Sequence, residues 1–130
     1  MFPLPPEPLL PTVLVKATTA VTTGTMVLSF AAGTTGQVNW LTGFDISGGG
    51  ATAVGMATIS VVGVLGGPLT YAMNILSVAS GPMNGNGPQG LSVRFPNPIP
   101  ASAANTTIGI TVPVLAGATL AAVVLHGFRI

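Results

Sequence analysis

From Thr12 onward the chain is built of short runs rich in Val, Ile, Thr and Phe, separated by Gly, Pro, Asn and Ser. With 18 glycines and 12 prolines in 130 residues, few stretches are free of helix breakers long enough to make a helix of ordinary length. The runs are Thr12–Val21, Thr25–Phe30, Gln37–Ile46, Ala53–Leu65, Leu69–Val78, Leu91–Phe95, Thr106–Val112 and Thr119–Arg129. β-branched and aromatic residues suit a pleated, half-buried surface, so each run is read as a strand. Thr119–Leu125 is rich in Ala, but Val123, Val124 and Gly127 weigh against a helix there.

Alternation sets the expected faces. Val38, Trp40, Thr42, Phe44 and Ile46 fall on one side of their run, and Gln37, Asn39, Leu41, Gly43 and Asp45 on the other. Leu91, Val93 and Phe95 alternate with Ser92 and Arg94, and Ile108, Ile110 and Val112 with Thr107, Gly109 and Thr111. Gly66-Gly67-Pro68 joins two long runs and predicts a hairpin with a short loop. Eight strands at this spacing predict an all-β fold, an eight-stranded antiparallel β-sandwich like a jelly roll. Ser47–Thr52 and Ser80–Gly90 are expected as long loops at its ends.

The first 11 residues differ in kind. Five prolines (Pro3, Pro5, Pro6, Pro8 and Pro11) preclude a helix or a central strand and predict an extended Pro-rich N-terminal arm, residues 1–11, ahead of one domain, residues 12–130. At ~3.1 Å per residue the arm reaches roughly 34 Å. Phe2, Leu4, Leu9 and Leu10 are poor choices for a solvated tail, so Phe2, Leu4, Pro5, Pro6, Leu9 and Leu10 are read as a protein-docking element that lies on a neighbouring subunit.

Charge removes several functions. Only 4% of residues are charged, with three Lys or Arg, two Asp or Glu and one His. Lys16, Arg94 and Arg129 are scattered, which argues against nucleic acid, since that needs clustered cations to displace counterions. Cys is absent, which excludes disulfides and thiolate metal sites. One His and two carboxylates fall short of a zinc site, and neither metal nor cofactor is expected.

Catalysis has equally little to draw on. A Ser–His–Asp set from His126, Asp45 and a serine is arithmetically possible, but no G-x-S-x-G elbow is present. His126 is read as a strand residue that is half-buried or at a subunit contact. Glu7 and Asp45 as a glycosidase pair would require one member on the arm. Gly48-Gly49-Gly50 lacks the Lys-Ser/Thr of a phosphate loop. Asn105-Thr106-Thr107 fits the glycosylation acceptor pattern, a short match of little weight. Trp40 and Phe44 are read as core in preference to a sugar-stacking platform. No enzyme is expected.

Mean hydropathy is high, yet the apolar stretches Ala51–Leu65 and Val112–Leu125 are short, interrupted by Gly or Pro, and rich in strand formers. The N-terminus lacks the basic residues of a signal peptide. The expectation is a soluble chain with no membrane partner. Its surface must then be covered by Thr, Ser, Asn, Gly and apolar side chains, which promotes association. Strand edges with almost no Lys or Glu point the same way.

Four stretches carry a resemblance: Trp40–Ala53, Gly67-Pro-Leu-Thr-Tyr71, Leu91–Ser102 and Ala122-Val-Val-Leu-His-Gly-Phe128. They resemble small tailed-bacteriophage virion proteins, the jelly-roll capsid decoration (cement) proteins, over most of residues 38–130. The resemblance implies a dimer or trimer on the exterior of the virion capsid, bridging neighbouring copies of the major capsid protein, with no active site. It also implies that Trp40, Phe44, Phe95 and Phe128 are core. A tail, collar or receptor-binding jelly roll is the alternative within the virion. A small cupin-like or lectin-like protein and a membrane-associated one are the alternatives outside it.

Overall fold

The computed structural model describes residues 11–20, 25–49, 55–75, 89–114 and 120–130. Eight strands form: β1 (Thr12–Ala20), β2 (Met26–Phe30), β3 (Asn39–Gly49), β4 (Gly55–Val62), β5 (Leu69–Ile75), β6 (Gln89–Pro100), β7 (Ile108–Val112) and β8 (Leu120–Arg129). Their pairing is nested, all antiparallel: β1 with β8, β2 with β7, β3 with β6 and β4 with β5. The chain is thus one long hairpin rolled over itself. Contacts of β3 with β8 and of β4 with β7 join the rungs into two sheets. The front sheet has the order β1-β8-β3-β6 and the back sheet β2-β7-β4-β5, which is the jelly roll.

Alternation explains the core. Leu41, Phe44, Ile46, Val123 and Leu125 from the front sheet meet Phe30, Ile59, Val61, Ile108, Ile110 and Val112 from the back sheet, all buried. Burial of each such side chain stabilises by about 1.5–3 kcal/mol. Phe44 crosses to Tyr71 of the opposite sheet edge-on, with ring centroids 5.2 Å apart. Gly66-Gly67-Pro68 does close a hairpin: β4 and β5 pair as far as Val61 and Leu69, and the Gly67–Pro68 peptide is cis.

Three expectations need correction. The first concerns β3, whose register against β8 shifts between Leu41 and Gly43. Trp40 pairs with Phe128 and Gly43 with His126, so Thr42 is an extra residue, a β-bulge. Because side chains alternate with period two, one inserted residue exchanges the faces beyond it. Asn39, Leu41, Phe44 and Ile46 therefore point inward, and Trp40 and Asp45 outward. The expected grouping of Val38, Trp40, Thr42, Phe44 and Ile46 on one face fails at the bulge.

The second concerns β6, which runs on past Phe95 to Pro100. It is an edge strand, where missing N–H groups are tolerated. Its register jumps from Arg94 opposite Gly43 to Ile99 opposite Leu41, so Phe95–Pro98 bulge past Thr42 and Pro96 and Pro98 take no donor from a regular ladder. The Pro100 carbonyl turns away from β3 to accept from the Leu65 N–H at 2.9 Å. The third concerns the loops: Ser47–Gly49 belong to β3, and Gln89 and Gly90 to β6. The remainder of both expected loops lies outside the described residues.

Candidate functional site

The outer face of the front sheet carries Asp45, Arg94 and His126, three of the five Asp, Lys, Arg and His side chains among the described residues. Strand pairing arranges it in three rows, each crossing four strands. Val13, Phe128, Trp40 and Pro100 form the first, Val15, His126, Gly43 and Arg94 the second, and Ala17, Val124, Asp45 and Ser92 the third. The bulge at Thr42 sets this pattern, because it brings Asp45 to the same face as Trp40.

Asp45 is the hub of the lower two rows. Its Oδ2 lies 2.8 Å from Arg94 Nη2 and 2.8 Å from His126 Nε2, and its Oδ1 accepts from Ser92 Oγ at 2.6 Å. The Arg94 guanidinium holds the Asp45 carboxyl well below the usual carboxylate range. Desolvation opposes this, and Ser92 and His126 add to it. Gly43 makes the arrangement possible: a Cβ there would run into the Val93 carbonyl oxygen and lie 2.9 Å from Arg94 Cδ. The absent side chain is the channel along which Arg94 reaches Asp45.

Asp45, His126 and a serine do meet, but not as a hydrolytic relay. Such a relay has the imidazole between carboxylate and hydroxyl. Here Ser92 donates to Asp45, and the carboxylate stands between the other two. No group of three or more His, Asp or Glu side chains able to hold a metal occurs among the described residues. No helix among them is long and apolar enough to cross a membrane.

The first row is aromatic. Trp40 and Phe128 stack with centroids 5.8 Å apart and planes within 8°. Both are half-buried on the outer face, which corrects their expected place in the core; Phe44 is core, and Phe95 packs half-buried against it. The pairing of Trp40 with Phe44 as a platform fails for the same reason, since Phe44 is fully buried.

Beside this row opens a groove of about 570 Å³, with Trp40, Val38, Gln37, Thr12 and Arg129 among its lining. Asn39, 1% exposed, lies outside this lining but bonds to its Arg129. Its Nδ2 donates to the Ala31 and Thr106 carbonyls at 2.9 and 3.0 Å, and its Oδ1 accepts from Arg129 Nε at 2.8 Å. Arg129 Nη2 donates to the Ala31 carbonyl as well. The sequence marks Asn39 only as a polar residue in a strand, and nothing in it signals a buried anchor.

The outer face of the back sheet is the opposite in character. β2, β4, β5 and β7 contain no Asp, Glu, Lys, Arg or His. Val27, Met56 and Val62 are 68%, 70% and 46% exposed there, among Thr58, Ser60, Thr70 and Thr111. The arm residues Phe2, Leu4, Pro5, Pro6, Leu9 and Leu10 lie outside the described residues. No family model and no curated protein matches the chain.

Proposed function

We propose that the protein is a structural component of a tailed-phage virion, a decoration protein that binds the capsid exterior and clamps neighbouring copies of the major capsid protein. The observation that carries this reading is the charge-free outer face of the back sheet, with Val27, Met56 and Val62 exposed. A face of that kind is a poor surface for water and a good one for protein, since its burial removes apolar area without stripping hydration from ions. The jelly roll supplies a rigid plate, and the Asp45 cluster keeps the opposite face wettable. Packaged DNA presses outward on a thin shell, and a contact of standard size, about 1,600 Å², repeated at many joints resists that pressure without chemistry.

Copy number per particle, measured by quantitative mass spectrometry of purified virions from the source, tests the reading. Hundreds of copies in fixed ratio to the major capsid protein support decoration. About three to a dozen, the numbers of a single vertex, assign the protein to the tail or collar instead. Absence from particles overturns the virion reading altogether.

A further inference from the structure

Four strands lie at the edges of the two sheets, β1 and β6 in front and β2 and β5 behind. An edge strand offers unpaired N–H and C=O groups to other strands, and chains that stay single guard such edges with charge, proline, bulges or brevity. Lys16 is the middle residue of β1. β6 carries Arg94, three prolines and a bulge, and β2 has only five residues. β5 has none of these devices: it is seven residues without charge or proline, in one unbroken register against β4. Among the described residues it pairs with β4 alone.

The rest of the chain is too short or too rich in proline to complete that edge. Residues 21–24, 50–54 and 115–119 are all shorter than β5. In residues 1–10, Pro3 and Pro5 fall on one parity and Pro6 and Pro8 on the other, so neither side of a strand built from them has a full row of donors. Thirteen residues join Ile75 to Gln89. That connection begins and finishes at one end of the sandwich: Ile75 pairs with Gly55, Gln89 pairs with Gly48, and β6 reaches the β4–β5 turn only at Pro100, beside Leu65. A two-residue turn and a run along all of β5 use about nine of the thirteen. The other four reach about 14 Å, and the return is roughly 20 Å.

We infer that β5 pairs antiparallel with β5 of a second copy, about a two-fold axis at Ala72. Ala72 is the middle residue of the seven, so this register overlaps the whole strand. Ala72 then opposes Ala72, and Thr70 opposes Asn74, all of them exposed in the single chain. No like charges meet, as Lys16 would meet itself in the same pairing of β1. Each copy uses up its unguarded edge and leaves only guarded ones, so the assembly closes as a dimer. The axis stands perpendicular to the joined sheet, which puts both charge-free back faces on one side of an eight-stranded plate. The use of that plate as a clamp rests on the proposed function. The pairing does not, and it is read on purified protein without particles, so the two fail separately.

The chain has no Cys, so a single introduced thiol reports on its own neighbour. Residues directly opposed in an antiparallel pair have Cα atoms about 4.5–5.5 Å apart, within disulfide reach. Sedimentation equilibrium of the full chain should show a dimer. Under oxidised glutathione Ala72→Cys should form a disulfide-linked dimer, and Thr58→Cys, exposed one strand inward on β4, should not. Ala72→Lys, at a site already exposed, should weaken association by about tenfold or more and leave the melting temperature near that of the wild type. A wild-type chain that is monomeric at every concentration overturns the inference, whether β5 is then open or taken by a foreign strand. A trimer overturns it too, since a two-fold edge contact cannot close one. So does a dimer that Ala72→Lys leaves intact and in which Ala72→Cys links no faster than Thr58→Cys.

Discussion

The Asp45 carboxylate on β3 lies 2.8 Å from the His126 imidazole on β8, across a separation of 81 residues in the chain. Arg94 meets the same oxygen from β6, so the pair is one side of a three-strand clasp. The clasp is open to water, with the Arg94 side chain 55% and the Asp45 side chain 35% exposed, and surface pairs of this kind are screened by solvent and contribute little to stability.

Its pH dependence has a definite sign. The Asp45 carboxyl is depressed in the fold and ordinary, about 3.9, when unfolded. The stability it contributes is therefore complete above the ordinary value and is lost as pH falls below it toward the depressed one. Urea midpoints at pH 7 and near pH 2.5 should show a modest loss in acid for the wild type. Asp45→Asn should have a lower midpoint at pH 7 and a smaller acid loss. An equal acid loss in both would assign the effect to Glu7 or a chain terminus.

Two buried glycines should respond differently to the same methyl group. At Gly127 a Cβ would collide with the Trp40 carbonyl oxygen and lie 2.6 Å from the Phe30 ring. At Gly109 the nearest atoms are 3.5 Å away or more, an ordinary contact distance. Gly127→Ala should destabilise by about 1–3 kcal/mol, and Gly109→Ala by markedly less. Thermal unfolding followed by circular dichroism distinguishes the two.

Asn39→Ala leaves two carbonyls and the Arg129 guanidinium without their buried partner. The expected loss is about 1–3 kcal/mol, read from chemical denaturation. Amide exchange should accelerate first in residues 31–38, since Asn39 ties that loop to β8 and to Thr106.

If the charge-free back face is the capsid contact, salt has little to screen. Protein bound to particles should resist a wash at about 1 M NaCl, where the screening length is near 3 Å. Val27→Lys should abolish co-sedimentation with particles while leaving the melting temperature close to wild type, because that side chain is already 68% exposed. Release by salt alone would rule out an apolar joint.

Strand existence is legible because the runs between turn formers alternate, and the back sheet keeps the expected alternation of Ile108, Ile110 and Val112, all three of which are buried. Facing in β3 is not, because a bulge shifts parity by one residue without changing composition. The available signal is Gly43, an isolated glycine within a strand pattern, which is a recognised mark of a bulge or of close backbone approach. The full length of β6 is hidden because Pro96, Pro98 and Pro100 read as terminators, a rule that is relaxed at a sheet edge. The Asp45 clasp has no linear signature at all: positions 45, 92, 94 and 126 become neighbours only through the registers of β3, β6 and β8.

The nested pairing also dictates how the molecule must be made. β8 is the last strand in order, yet it lies between β1 and β3 in the front sheet. A growing chain that has reached β7 can complete the back sheet, but β1 has no neighbour until Leu120–Arg129 arrives to join it to β3. Contacts that span almost the whole chain make for high contact order and slow closure. During that interval the apolar inner side of half a sandwich is bare, and a neighbouring nascent chain is the hazard it faces.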